Sequence, residues 1–486
     1  MHARSIRYLV TIFIISISCS IEIYAAKPIT LSLEEAILIA ARSNPNVQES
    51  QLSYVLQKFN LHVEEWQFDL HYSLQASAGL TRSIIPDQPT TYSRNYNLQP
   101  GVSLQTPIGT EFNLYSNNPV TDHYHPSLSL QLMQPLMRGF GKAIVETALH
   151  NARDSEVVSR LTIEGTLRTT ITAVINAYLD VVAAEQNIAI DQDAAKRAEQ
   201  SVEQTKKYIK AGRKAGNELV TVQADQARTK AQLETDKNNL IQARYALLTA
   251  IGMDPNTNIR FTSLHIENLI KKYTLPALSA VKQLTLENDI QYQVDQIVLH
   301  GSTTRALLTA QDNTRWQLNL EANVTSGNVS DTTNAGQRAG ISGLFNNPYL
   351  TQGVGLSLHI PIDDQLTKQA VLNAKIALKQ AELALVQEKW NKETNAINGW
   401  NMVVSAKRAL QFAEDAQLLQ KQTYIISYQK YLHGLIDSLE LQSAQLQLIQ
   451  AQQVSLREKI GYLKALVNLD LLTGHTLRTW HVKVRF

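Results

Sequence analysis

The chain has 486 residues, with 45 Lys+Arg against 43 Asp+Glu and a formal net charge of +2. That balance offers nothing to a polyanion, so a nucleic-acid partner is not expected. A single cysteine excludes a disulfide framework and a cysteine-based zinc site.

The first 26 residues read as a secretory signal peptide. Arg4 and Arg7 precede an apolar run from Tyr8 to Ser18, and the small residues Ala25 and Ala26 follow it. The run is about half the ~20 residues that a membrane-spanning helix needs. Cys19 fits an incidental residue of a discarded peptide better than an acylated first residue, because Ser16 stands where a lipoprotein signal usually carries leucine.

From Leu31 onward the chain is written twice. Ala36, Ala40 and Asn44 recur every four residues in an amphipathic helix start, and Ala280, Leu284 and Asn288 repeat that rhythm. Alternating segments follow each helix. Four are expected as strands in the first half (72–82, 95–106, 110–117 and 127–136), and two in the second (316–324 and 354–362). Pro107-Ile108-Gly109 reads as a turn, closing either a hairpin beyond a membrane or an extra spanning pair. Four spanning strands per chain are expected. Pro135 and Pro361 sit at matching strand ends.

Long helices come next in both halves. None of the 13 prolines falls within 136–254 or 362–486, and an interior proline would cost a helix about 3 kcal/mol or more. Apolar ladders of 4/3 spacing run from Leu167 through Ile171, Val174, Tyr178 and Val181, and from Leu372 through Ile376, Leu383, Val386, Trp390, Ile397 and Trp400 to Val404, the second broken by Lys379 and Glu393. A period of 3.5 is that of coiled coils, with neighbours packed knobs into holes. Late in each half lies a similar string: Gly212, Glu218-Leu219 and Gln223, then Gly434, Glu440-Leu441 and Gln445. Self-similarity at this period is duplication of a whole unit. The boundaries read as 27–252 and 276–474 for the two repeats, with a linker over 253–275. The end, 475–486, alternates Trp480, Val482, Val484 and Phe486 and reads as a strand, expected to pair with 261–269.

The strands decide between a solvated rod and a channel wall. Leu74, Ala76, Ala78 and Leu80 alternate with Ser73, Gln75, Ser77 and Gly79, and Leu128, Leu130 and Leu132 with Ser127, Ser129 and Gln131. Apolar residues facing lipid and small polar ones facing water give that pattern in a membrane barrel. Few strands per chain cannot close a barrel, and an open edge is not tolerated in lipid, so several copies must share one.

The chain resembles the outer-membrane efflux proteins, the TolC-like channels, from about Leu31 to Gly474. The resemblance is carried by "LSLEEAILIAARSNP", "LSLQLMQPLMRGFGKA", "VGLSLHIPI" and the paired strings "GRKAGNELVTVQA" and "GLIDSLELQSAQ". It implies a mainly helical fold with membrane β: a homotrimer whose long helices form a periplasmic tunnel under one shared twelve-stranded barrel in outer-membrane lipid. It also implies docking onto a periplasmic adaptor (a membrane fusion protein) and an inner-membrane pump, as the exit duct of a tripartite efflux or type I secretion system. The alternative reading is a periplasmic adaptor or coiled-coil structural protein.

Arg138-Gly139-Phe-Gly141-Lys142 lacks the spacing of a P-loop, and its glycines suit a sharp strand-to-helix turn. Asp122-His-Tyr-His125 offers two imidazoles without a third ligand nearby. No catalytic constellation stands out, so neither an enzyme nor a cofactor or metal is expected. Gly212 and Gly434 read as helix-tip turns, and the resemblance makes them adaptor contacts. It places Glu440 and its counterpart Glu218 at the periplasmic aperture, where rings of carboxylates attract cations. Ser443 stands where the family often carries a second acid, with Asp437 as a possible substitute. Tyr431 matches a family tyrosine that holds the mouth shut, whereas the partner arginine position holds Ile436.

Overall fold

The computed structural model describes residues 29–120, 126–257, 259–262, 269–270, 272–273, 275–327 and 350–484. The expected signal peptide, Cys19 and the Asp122–His125 pair lie outside them.

The chain enters through strand β1 (Ile29–Leu31) and helices α1 (Leu33–Ser43) and α2 (Pro45–Trp66). Ser32 starts α1 with a reciprocal capping box: its hydroxyl accepts from Glu35 N–H, and the Glu35 carboxylate accepts from Ser32 N–H at 2.8 Å. Four strands follow: β2 (His71–Ser83), β3 (Thr91–Gln105), β4 (Glu111–Val120) and β5 (Ser127–Pro135). A short helix α3 (Lys142–Val145) leads into α4 (Thr147–Lys210), and α5 (Asn217–Ile251) returns. Strand β6 (Ile259–Phe261) lies in the linker between the repeats. The second repeat brings α6 (Leu278–Asn288), α7 (Ile290–Val298), one π turn, α8 (Thr304–Asn313), β7 (Gln317–Gly327) and β8 (Leu350–His359). It closes with α9 (Gln365–Leu432), α10 (Ser438–Leu472) and α11 (Thr476–Thr479).

The helices build a wall four columns wide. The contacts order them as α2 above α5, then α4, then α6–α8 above α10, then α9. At 64 and 68 residues, α4 and α9 each extend on the order of 100 Å. The duplication shows at the joints. Asn44 and Asn288 each end a short helix and donate through Nδ2 to a carbonyl beside a glycine that ends a long one: Asn44 to Ala250 at 2.8 Å, Asn288 to Thr473 at 2.9 Å. The glycines, Gly252 (φ 84°) and Gly474 (φ 76°), lie so close that a Cβ would stand 2.7 Å from Asn44 Cα and 2.5 Å from Asn288 Cβ.

Leu167, Ile171, Val174, Tyr178 and Val181 are buried in the main core with α1, α5 and α10, as their ladder predicts. The other ladder behaves differently. Within one chain Leu372, Ile376, Leu383, Val386 and Trp390 are all exposed, and α9 buries Ala396, Val403 and Leu410 instead. Helix α2, at the opposite edge of the wall, likewise exposes Leu52, Leu56, Phe59, Val63 and Trp66, again at 4/3 spacing.

Among the described residues one antiparallel sheet runs β2-β3-β4-β5-β7-β8. All six segments expected as strands thus join in one sheet. The β3–β4 turn is wedged at the helix end of the sheet. Gly141 N–H donates to Ile108 O at 3.2 Å, and a Cβ on Gly109 (φ 94°) would stand 2.8 Å from Gly139 O.

The expected C-terminal strand is replaced by α11. Leu477 and Trp480 are both buried, and Val482 and Val484 pack against the same core, so burial still alternates over 480–484 although no strand forms there. The edge of β6 is taken by β1, which pairs with it in parallel. Trp480 Nε1 donates to Tyr273 Oη at 3.2 Å, and Lys272 Nζ lies 3.6 Å over the Trp480 ring.

Candidate functional site

Two hairpin tips lie at the end of the wall away from the sheet. The first joins α4 to α5, the second α9 to α10, and each turns on a left-handed glycine: Gly212 at φ 68° and Gly434 at φ 74°. The residue after each glycine donates to the carbonyl five positions earlier, Arg213 to Tyr208 at 2.8 Å and Leu435 to Lys430 at 2.9 Å. This is the Schellman ending, which needs a residue without a Cβ penalty at the glycine position.

Beyond the glycines the tips diverge. Asp437 caps α10, its carboxylate accepting from Glu440 N–H at 2.8 Å, whereas Gly216 begins α5 with no side-chain cap. Asp437 therefore organises the helix start next to Glu440. Glu440 itself is exposed in the first turn of α10, and no ion pair to it occurs among the described residues. Glu218 is only half-buried and is paired with Lys214 at 2.8 Å, whose side chain is largely covered. The two glutamates thus occupy equivalent positions in different electrostatic settings.

Tyr431 joins the hairpins. It is 1% exposed, its hydroxyl lies 2.8 Å from Thr205 Oγ1, and Lys214 Nζ stands 4.1 Å from its ring centroid. Tyr208 packs edge-on against it, with ring centroids 6.1 Å apart, and donates to Leu432 O at 3.2 Å. The cation beside Tyr431 is thus Lys214, supplied by the other repeat. Sequence reasoning missed Thr205, Tyr208 and Lys214. Only Lys214 carried a signal, as a lysine four residues before Glu218 in the turn that follows Gly212; a lone hydroxyl and a tyrosine in a helix carried none.

A second buried polar site lies within the wall. Asp191 of α4 faces Asp236 of α5, and Gln453 of α10 reaches Asp191 at 3.5 Å. Burial, then the hydrogen bond and charge of Asp236, push the Asp191 carboxyl up to about 7.

At the other end, the strand-to-helix turn is cut by glycines. Pro135 is the last residue of β5, and Arg138 N–H donates to Trp316 O at 3.2 Å. Gly139 (φ 79°) donates to Asp312 Oδ2 at 2.7 Å, and Gly141 (φ 99°) opens α3. Pro361 follows β8 in the matching turn, where Asp364 caps α9 by accepting from Thr367 N–H at 3.1 Å. No group of three or more metal-ligating side chains occurs among the described residues.

The sheet gives the two faces of the wall opposite characters. The cross-strand row Tyr72, Val102, Leu114, Leu130, Val324 and Gln352 crosses all six strands, and the next row holds Leu104, Phe112, Leu132, Ala322 and Val354. The other face carries His71, Ser103, Asn113, Gln131, Asn323 and Gly353 in one row. Val354 is 80% and Leu74 70% exposed, so the apolar face is uncovered over much of its area, Leu128 excepted.

The family model for outer membrane efflux proteins matches residues 310–475. No curated protein sequence matches the chain. Solved structures do. The outer membrane channel CmeC of Campylobacter jejuni aligns with 91% of this chain and 85% of its own at 13% identity and a TM-score of 0.67. The open state of the outer membrane channel MtrE of Neisseria gonorrhoeae aligns with 91% and 88% at 16% identity and a TM-score of 0.64. The outer membrane protein VceC of Vibrio cholerae aligns with 92% and 95% at 15% identity and a TM-score of 0.63. At these identities the likeness is one of fold. The second repeat thus carries the signature of the outer membrane efflux protein family, on a chain folded throughout like solved outer-membrane channels.

Proposed function

We propose that this chain is the outer-membrane exit duct of a tripartite efflux or type I secretion system. It conducts small molecules or proteins passively from a pump across the periplasm and the outer membrane. The observation that carries this reading is the sheet with one apolar and one polar face, standing on a helical wall on the order of 100 Å long. Such a sheet is stable in lipid only when its edges are closed. The wall is incomplete in the same way, because α2 and α9 leave heptad stripes uncovered at its two edges. Three copies would bring each α2 stripe against the α9 stripe of a neighbour, building a tunnel of twelve helix columns. The hairpin tips, with Gly212 and Gly434, would meet a periplasmic adaptor. Glu440 and, more weakly, Glu218 would line the aperture that Tyr431 holds. No chemistry is assigned to the chain; a partner pump supplies the energy.

Membrane fractionation tests the reading. The mature protein should remain with outer membranes through washes in high salt and in alkali. Release into the wash would contradict the duct and favour a periplasmic coiled-coil protein.

A further inference from the structure

The barrel implied by family resemblance has twelve strands, four from each of three copies. We propose that this chain instead contributes six, so that three copies close an eighteen-stranded barrel in which β8 of one copy pairs with β2 of the next. The inference rests on the duct reading and adds the width of its outer opening.

Three observations carry it. First, β3 and β4 have 15 and 10 residues, enough to cross the hydrocarbon layer, for which about 9–11 tilted residues suffice. They also continue both faces of the sheet without a break in register. Val102 and Leu114 extend the apolar row between Tyr72 and Leu130, while Ser103 and Asn113 extend the polar row. A hairpin lying outside the membrane would have no reason to keep that register. Second, the β3–β4 turn is pinned beside the strand-to-helix turn, where Ile108 O accepts from Gly141 N–H at 3.2 Å. At that base Gln105 and Glu111 lie in one row with Met133 and Glu321 of the neighbouring strands.

Third, the widths agree. Four helix columns at about 10 Å occupy about 40 Å of circumference per chain. Six strands about 4.8 Å apart, tilted by about 40°, occupy about 38 Å, whereas four would occupy about 25 Å. A ring that closes the wall therefore closes a six-strand sheet without a gap. Closure is also correct in sense. The chain runs away from the helices along β2 and back towards them along β8, so the two edges of successive copies meet antiparallel, directly above the α2 and α9 stripes.

The consequence is a bore about 36 Å across between opposing backbones, against about 24 Å for twelve strands. Barrels of 16–18 strands enclose an aqueous channel. The outer opening would then impose no size limit narrower than the helical tunnel, and selection by size would fall on the hairpin tips.

Single-particle electron microscopy of the full mature chain in lipid nanodiscs tests this directly. The expected map has six strands per protomer in the hydrocarbon region and a barrel about 36 Å across. A barrel of about 24 Å, with residues 91–120 outside its wall, would overturn the inference and leave the duct intact. A particle without any transmembrane barrel would overturn both.

Discussion

The two repeats agree in their helices and differ where the chain meets its surroundings. Asn44 with Gly252 and Asn288 with Gly474 form the same joint twice, and Gly212 and Gly434 form the same turn twice. The sheet departs from this, with four strands from the first repeat and two from the second. So do the tips. Glu218 is neutralised by Lys214 while Glu440 stands exposed behind the Asp437 cap. Close packing explains the contrast, since a joint in which a Cβ would stand 2.5–2.7 Å from its neighbour tolerates no drift. A hairpin added to the sheet alters only the perimeter, and a charge at a tip alters only the field.

Two large effects come first, beginning with the joint. Gly474→Val combines a left-handed φ of 76° with a clash against Asn288, and should cost about 2–4 kcal/mol. Gly252→Val should cost a similar amount if the two joints are equivalent. Thermal unfolding of both variants in detergent checks this; a large loss in one alone would show that the duplicated joints are not equivalent. The second, of similar size, is the link between hairpins. Tyr431→Ala should cost roughly 3–5 kcal/mol by emptying a buried aromatic site. Tyr431→Phe should cost about 1 kcal/mol, the worth of its hydrogen bond to Thr205. Denaturant titration of the pair separates packing from hydrogen bonding.

The tips offer a sharper test with a smaller effect on stability. Glu440→Gln should lower cation-over-anion permeability several-fold, whereas Glu218→Gln should change it little, because Lys214 already balances that charge. Reversal potentials in a salt gradient distinguish them. Equal effects would erase the electrostatic difference between the repeats.

The smallest effect concerns pH. The Asp191 carboxyl is raised to about 7 in the folded wall, against about 4 for an unfolded aspartate. Between those values the folded state holds a proton that the unfolded state has lost. Its contribution to stability is therefore complete below about pH 4 and declines as pH rises to about 7. Asp191→Asn keeps a neutral polar group there. The variant should melt a few degrees above the wild type at pH 8, with the difference fading towards pH 4. A wild type that keeps its melting temperature from pH 5 to 8 would contradict this.

Much of the wall was legible in the sequence because coiled-coil packing leaves a periodic trace. The 167–181 ladder became core, and the duplicated strings became duplicated turns. The 372–390 ladder shows the limit of that trace, since spacing reports a packed face without saying whether the partner lies in the same chain. The positions of β3 and β4 were readable from alternation, but their place in the sheet depended on how Gly109 and Gly141 meet at the base, a tertiary contact. The C-terminal segment buries Trp480, Val482 and Val484 in the expected alternation, yet it forms a helix at 476–479 and no strand over 480–484, because alternation reports a buried face and not the neighbour that would pair with it. At the tips Glu218 and Glu440 were found as a pair by spacing, but Lys214 over Tyr431 is a contact between repeats that no local pattern encodes.

Conductance in planar bilayers tests the central claim most directly. The purified mature protein should insert as discrete steps of uniform size, with larger steps in Tyr431→Ala, where the hairpins are released. A bilayer that stays silent with both proteins, each verified as folded, would contradict the account of this chain as a shared water-filled duct.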